Sequence, residues 1–243
     1  MAYRGFDLYD QASFFNKYME RRNGIENAND TLEKPIICEM ISKEARCILD
    51  LGCGNAAWGH ELIASGAHSY TGLEGSRRMV ELARRNLCSP KMEIVHTPLE
   101  TWNYPADRYD LAVSRLVIHY IEDILSLFSS IYRTLKKDGT FVFSVEHPVM
   151  TSSYGLSRAE GIKQDWIVDN YFVTGEREQE WLGSKVTKYH RTLEDYFAAL
   201  QKAGFTVEQI RESRPDKQNF LKEETFHRRM RIPLFLFMRG KKI

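Results

Sequence analysis

Two carboxylates and two glycines give this chain its clearest chemical signal. Asp50 lies two residues before Gly52, with Cys53 and Gly54 following at once, at the end of the apolar run Cys47-Ile48-Leu49-Asp50-Leu51. Such a run predicts a buried strand that stops, turns tightly and opens a helix. Glycines suit the turn because it needs unusual backbone angles and lets a ligand approach the main chain more closely than a Cβ permits. Free N–H groups at the following helix start face that ligand. Glu74 ends the next predicted strand, in Tyr70-Thr71-Gly72-Leu73-Glu74-Gly75-Ser76, where a carboxylate can accept from both hydroxyls of a ribose. A dinucleotide would place its pyrophosphate at the turn and be repelled by Asp50. A ligand carrying a cationic amine and a sulfonium would be drawn to it.

Side chains able to handle a proton come next. Glu146 and His147 fall at the carboxyl end of a predicted strand, where ligands of open α/β sheets sit. His119 follows another strand end, and His190 precedes a helix. All four are candidates for catalytic work, and each histidine has a second reading as a hydrogen-bonded scaffold residue. Tyr154, Trp166, Tyr171, Phe172, Trp181 and Tyr189 could cage a planar ligand or simply bury their own segment. Two basic groups, Arg21-Arg22 and Arg228-Arg229-Arg231 with Lys241 and Lys242, could bind anions or be solvated.

The elements that position these residues follow a rhythm. Residues 9–22 predict an amphipathic helix ended by Asn23-Gly24, and a second helix follows Pro35. Strands at 47–51, 69–73, 92–96, 109–114 and 140–146 alternate with helices at 56–65, 77–87 and 122–135. That alternation predicts a parallel sheet covered on both faces. Residues 149–190 lack periodicity and read as a functional loop or lid. A helix at 192–203, N-capped by Thr192, precedes strands 205–211 and 233–239. The expected organisation is a helical cap at 1–45, an α/β core at 46–148 and 191–243, and a lid insertion at 149–190.

Composition narrows the partners. The formal charge is +1 with 28% charged residues, so no global field attracts nucleic acid or anionic membrane. No signal-peptide core or membrane-length apolar segment is visible, which predicts a cytoplasmic protein with no membrane partner. The four cysteines, Cys38, Cys47, Cys53 and Cys88, show no CxxC spacing and read as reduced structural thiols, with no metal site expected.

Four motifs in order, Asp50-Leu-Gly52-Cys-Gly54, Gly72-Leu-Glu74-Gly-Ser76, Tyr109-Asp110-Leu-Ala-Val-Ser114 and Lys137-Asp138-Gly139-Thr140, resemble those of class I S-adenosylmethionine-dependent methyltransferases. The resemblance implies a Rossmann-like doubly wound α/β sheet of seven strands, mostly parallel with the last strand antiparallel. It implies that the glycine turn holds the methionine part of S-adenosylmethionine and that Glu74 holds the ribose, with Gly75 beside it. Leu99-Glu100 would bracket the adenine, Ser114-Arg115 would offer main-chain contacts to the methionine end, and Tyr9 and Tyr18 would close over the cofactor. Ala56 departs from the family's third glycine. The fourth-strand motif is not the Asn/Asp-Pro-Pro-Tyr type, which disfavours adenine and amide nitrogens as acceptors. Val145-Glu146-His147-Pro148 and Lys188-Tyr189-His190-Arg191-Thr192 resemble a bacterial small-molecule subgroup. The expected activity is methyl transfer by in-line displacement to oxygen or nitrogen of a small aromatic or heteroaromatic metabolite, leaving S-adenosylhomocysteine. An RNA-modifying methyltransferase and a nicotinamide-dependent oxidoreductase are the alternatives, nucleic acid being disfavoured, and either a monomer or a homodimer fits.

Overall fold

A computed structural model of the chain describes residues 4–42, 44–87, 89–152 and 166–243. Tyr154 and Cys88 lie outside the described residues. The chain opens with helices α1 (Gly5–Tyr9), α2 (Ala12–Arg22) and α3 (Lys34–Met40). The sheet then alternates with helices: β1 (Cys47–Leu51), α4 (Ala57–Ala64), β2 (Ser69–Glu74), α5 (Arg77–Arg85), β3 (Met92–His96), β4 (Tyr109–Arg115), α6 (Ile124–Thr134) and β5 (Leu135–Glu146). After α7 (Pro148–Thr151), the strands β6 (Gly175–Trp181) and β7 (Ser184–His190) form a separate antiparallel hairpin. The chain closes with α8 (Leu193–Lys202), β8 (Thr206–Glu212), α9 (Glu223–Arg229) and β9 (Phe235–Lys241).

The main sheet has seven strands in the order β3-β2-β1-β4-β5-β9-β8, and only β9 runs against its neighbours. Strand side chains alternate between faces, so β1 sends Leu49 and Leu51 to one side and Ile48 and Asp50 to the other. Leu49 and Leu51 join a core with Phe128, Phe141, Phe143, Tyr196 and Leu200, under α6 and α8. Ile48 joins a second core with Ile37, Met40, Trp58 and Val80, under α3, α4 and α5. Asp50 therefore points into an apolar layer. The same alternation sends Arg115 of β4 and Ser144 of β5 to the α3 face, where Glu33 meets both.

Local chemistry explains several boundaries. Ser76 caps α5 by accepting from Met79 N–H, and Thr192 and Asp195 form a reciprocal capping box on α8. Gly52 and Gly54 take φ of +79° and +57°, and Ala56 adopts the left-handed region too, at φ +56°. A side chain with a Cβ is strained there by about 1–2 kcal/mol. The turn thus keeps its shape at a cost that a third glycine would avoid.

Three expectations need correction. The helix expected over 9–22 is two helices, because the chain turns extended at Gln11, next to Asp10, which accepts from Ser76 Oγ (2.7 Å) and Arg78 N–H (3.1 Å) and ties the N-terminus to α5. The aperiodic stretch at 149–190 contains the β6–β7 hairpin; its strands carry mixed polar residues, so they lack the alternation that marks a half-buried strand. The connection between the last two strands contains α9, which has no buried residue and hence no apolar stripe to read.

Candidate active site

A large cavity opens at the carboxyl ends of β1, β2, β4 and β5, with a volume of about 1230 Å³. Small-molecule sites usually run from about 300 to 1,000 Å³, so this one has room for two ligands. A smaller recess of about 140 Å³ adjoins it above the glycine turn and is lined by Asp50, Cys53 and Asn55. Gly52, Gly54, Tyr18, Arg22 and Arg115 line both, which makes them one continuous groove.

Asp50 sits at the floor of the recess. Its Oδ2 accepts from Tyr70 Oη at 2.6 Å, while Oδ1 is buried with no hydrogen-bond partner among the described residues. Burial raises its carboxyl to about 6, against the opposing pull of the Tyr70 hydroxyl and Arg115. An orphaned carboxylate oxygen of this kind asks for a cationic donor. Glu74 is buried at the cavity wall, and its two oxygens accept from Gly54 N–H (2.9 Å) and Ser76 N–H (2.8 Å). Burial raises Glu74 too, and these amide donors hold the rise in check. Each carboxylate oxygen has a second lone pair left for a diol.

Gly52 is required by space as well as by angle. A Cβ there would stand 2.4 Å from Val117 Cγ2, whereas one at Gly54 would meet nothing within 4 Å and would occupy the groove itself. We predict that Gly52→Ala loses about 2–5 kcal/mol of folding stability, combining left-handed strain with overpacking. Urea denaturation checks this, and a loss below about 0.5 kcal/mol would contradict the steric reading.

Behind the groove lies a buried ion pair absent from the sequence reading. Glu33, in a wide π-helical turn at Asn29–Glu33, is fully buried and accepts from Arg115 Nε (2.9 Å to Oε2) and Nη2, and from Ser144 Oγ (2.9 Å). Arg115 also stacks over Trp58, 4.7 Å from the ring centroid. Ser144 Oγ accepts in turn from Leu116 N–H, so the pair anchors the start of the loop that carries Val117.

The cavity's other end is walled by Tyr9, Tyr18, Tyr120, Trp166 and Trp181. Tyr9, Tyr18, Phe14 and Trp181 pack edge to face, at 4.9 Å between the Tyr9 and Tyr18 centroids. Glu146 faces this end and accepts from Lys188 Nζ at 2.6 Å; Lys188 itself is only 2% exposed. Burial pushes the Glu146 carboxyl up, but Lys188 and His119 more than reverse this and keep it below its usual range. His119 is buried, accepts from Glu146 N–H through Nδ1 (3.4 Å), and is held down at about 3, chiefly by burial.

Of the sequence candidates, Tyr9, Tyr18, Gly52, Gly54, Glu74, Gly75, Leu99, Glu100, Arg115, His119 and Glu146 line the main cavity, and Asp50 and Cys53 line the recess. His147 and His190 do not. His147 caps α7, accepting from Val149 N–H through Nδ1, and its Nε2 bonds Glu212 Oε1 at 2.9 Å. His190 spends Nδ1 on Thr151 Oγ1 (2.7 Å) and Nε2 on the Tyr171 carbonyl (2.9 Å). With both ring nitrogens engaged in scaffold bonds, neither is free to take a proton from a ligand. Ser114 lies behind the wall, where its hydroxyl donates to Leu51 O and ties β4 to β1. Among the expected lid aromatics, Trp166 and Trp181 reach the cavity; Tyr171 packs on His190, Tyr189 bonds Glu122, and Phe172 is exposed. Glu33, Lys188 and Val117 are the side chains the sequence did not single out. Lys188 stood in a quoted motif, while Glu33 left no local signal.

Cys38, Cys47 and Cys53 are unpaired thiols. Among the described residues no cluster of three metal-ligating side chains occurs, and no helix is long and apolar enough to cross a membrane.

Comparison with known proteins agrees with this groove. A methyltransferase domain family model matches residues 49–143. An S-adenosylmethionine-dependent methyltransferase structure from Mesorhizobium loti is 30% identical, covering 86% of this chain and 97% of that one, with a TM-score of 0.80. A Listeria monocytogenes structure assigned to the same class is 31% identical over 87% of this chain and 96% of that one, with a TM-score of 0.79. An uncharacterised Haemophilus influenzae protein is 30% identical over 97% of both chains. These relatives lend the nicotinamide alternative no support. Relatives of this class at 30–31% identity cover 86–87% of the chain, which makes it a class I S-adenosylmethionine-dependent methyltransferase.

Proposed function

We propose that the enzyme methylates an oxygen or nitrogen of a small aromatic or heteroaromatic metabolite, with Glu146 orienting that atom and taking its proton where one must leave. The observation that carries this reading is a carboxylate, held by the buried Lys188, set in the aromatic-walled end of the cavity that reaches the glycine turn. S-adenosylmethionine, when bound, supplies a methyl group already activated on a cationic sulfur. Asp50, with its orphaned Oδ1, would hold the cofactor's amine, and Glu74 its ribose. The Gly52-Cys53-Gly54 turn, Gly75, Leu99 and Glu100 would frame the rest. The fit rests on three features: an unpartnered buried acceptor, open space over Gly54, and a second acid at the wall.

The protein's task is then alignment and exclusion of water. Tyr120 and Trp181 flank the Lys188 ammonium at 5.8 and 5.5 Å from their centroids, which fixes its position against Glu146. Glu146 stays ionised near neutral pH, ready to accept from a hydroxyl or N–H. His119 is neutral, and its Nδ1 is already taken by the Glu146 N–H. Because its Nδ1 accepts a backbone N–H, its proton sits on Nε2, where it serves as a donor.

The test is a methyl-transfer screen with isotopically labelled S-adenosylmethionine across phenols, catechols, nitrogen heterocycles, aliphatic alcohols and amines, and tRNA transcripts. Aromatic acceptors should be turned over, and acceptance confined to the aliphatic compounds or to RNA would overturn the reading. On an accepted compound, Glu146→Gln should reduce kcat by about 10²-fold or more while leaving S-adenosylhomocysteine affinity within about twofold. Lys188→Met should move the acidic limb of the kcat profile to higher pH, because Lys188 holds the Glu146 carboxyl down. A drop below about tenfold in Glu146→Gln would remove Glu146 from proton transfer.

A further inference from the structure

Members of both basic groups seen in the sequence line the cavity. Arg21 lies at the end of α2 and Arg229 at the end of α9, and both line the main cavity. The other cations there are largely answered: Arg22 pairs with Asp30 (2.9 Å), Arg115 with Glu33, and Lys188 with Glu146 (2.6 Å). Arg21 and Arg229 form no ion pair among the described residues, although Glu100 and Glu180 also line the cavity. Arg229 is half-buried, and its Nε is shielded from solvent with no hydrogen-bond partner among the described residues. A buried guanidinium N–H left unpaired is costly, by about 1–3 kcal/mol or more, so its persistence points to an acceptor that the described residues do not provide.

The local field agrees. Arg229 is depressed to about 10, first by burial and then by repulsion from Arg228 and Arg21, a strain that an anion between the guanidinium groups would relieve. Arg21 is exposed, and from the cavity rim it helps to hold the Glu146 carboxyl down. A helix end rich in arginine is ordinarily a solvated face. Here two such ends each bring an arginine to one ligand cavity, close enough for Arg21 to depress Arg229.

We propose that Arg21 and Arg229 form a binding site for an oxyanion, a carboxylate or phosphate, carried by the methyl acceptor. This rests on reading the aromatic end of the cavity as the acceptor site. The cofactor's own carboxylate is a poorer occupant. Arg22 lines both the cavity and the recess that holds Asp50, whereas Arg21 and Arg229 line the cavity alone. The geometry separates a cation near the amino-acid end of the cofactor from two cations on the acceptor side. Guanidinium forks bind carboxylate and phosphate oxygens in pairs, so such a site would set the acceptor's orientation as well as its charge.

The test uses the full-length protein saturated with S-adenosylhomocysteine and follows its melting temperature in inorganic phosphate, phenyl phosphate, benzoate and benzyl alcohol, against chloride at equal ionic strength. The three anions should raise the melting temperature by about 2 °C or more at millimolar concentration, and benzyl alcohol should not. Arg21→Gln/Arg229→Gln should lose that rise while binding S-adenosylhomocysteine within about twofold of wild type, and Arg229→Lys should keep part of it. A stronger response to phenyl phosphate than to benzoate assigns a phosphate group, and the reverse a carboxylate. An anion response equal in wild type and double variant overturns the proposal. So does a drop of more than about tenfold in S-adenosylhomocysteine affinity in the double variant, since that assigns the arginines to the cofactor. Neutral aromatic acceptors together with no anion response would sink this inference alone. An anion response with no aromatic acceptor would sink the aromatic reading alone.

Discussion

Asp50→Asn should bind S-adenosylhomocysteine roughly ten- to a hundredfold more weakly than wild type at neutral pH, the range of one charge-assisted hydrogen bond. The wild-type affinity should also climb as pH rises from 5 to 7, and the variant's should stay flat. The cause is the buried carboxyl, raised to about 6, which must ionise before it can hold a cationic amine. In the ligand-free protein the sign reverses. A folded-state value above the unfolded one means that the native state holds its proton more tightly, a stabilisation complete below the unfolded value of about 4 and lost as pH rises through about 6. At about 1.4 kcal/mol per unit, that amounts to at most about 3 kcal/mol. The stability of Asp50→Asn should therefore gain on that of wild type between pH 4 and pH 7. Calorimetric titration at several pH values checks the binding half, and denaturation over the same range checks the folding half. Affinity independent of pH in both proteins would remove Asp50 from the cofactor site.

The second large effect is expected at Glu33. Removing its carboxylate by Glu33→Ala leaves the Arg115 guanidinium buried without its partner and takes an acceptor from Ser144. Breaking one half of a buried pair costs about 3–5 kcal/mol, which urea denaturation would resolve. Replacing both ends, as Glu33→Leu/Arg115→Met, should recover at least half of the loss, because no charge is then left without a counterpart. Binding should suffer in Glu33→Ala as well. Arg115 already bears on Asp50, and without Glu33 that acid becomes its nearest counterion, in competition with the cofactor. A single-variant loss under about 1 kcal/mol would mean that water reaches this pair.

What the sequence disclosed and what it withheld divide along a physical line. The glycine turn, its two acids and the alternation of strands and helices are legible because each is local: a turn needs its glycines in place, and a strand carries its own period. The seven-stranded sheet with its last strand antiparallel is what the resemblance of the motifs implied. Pairings across the fold were not legible. Glu33 is an ordinary acid in a short helical turn until β4 and β5 bring Arg115 and Ser144 beneath it. Arg21 looks like a solvated helix end and Arg229 like part of a polar connection until the fold brings both to one cavity. His147 stood at the right end of the right strand, yet the proline after it starts α7 and turns its ring into a cap. Position along a strand predicts where a residue is, and side-chain direction after the strand ends is set by whatever follows.

The β6–β7 hairpin has a consequence for how such an enzyme can change. It belongs to a different sheet from β1 and β2, and it brings Trp181 and Lys188 to the cavity while Asp50 and Glu74 come from the main sheet. On the reading proposed above, the parts that recognise the acceptor are inherited on a segment that can drift, lengthen or be exchanged without retuning the glycine turn. Relatives that share the turn and the sheet can then diverge in substrate through this one insertion, and a hairpin graft becomes the natural unit for redirecting the enzyme.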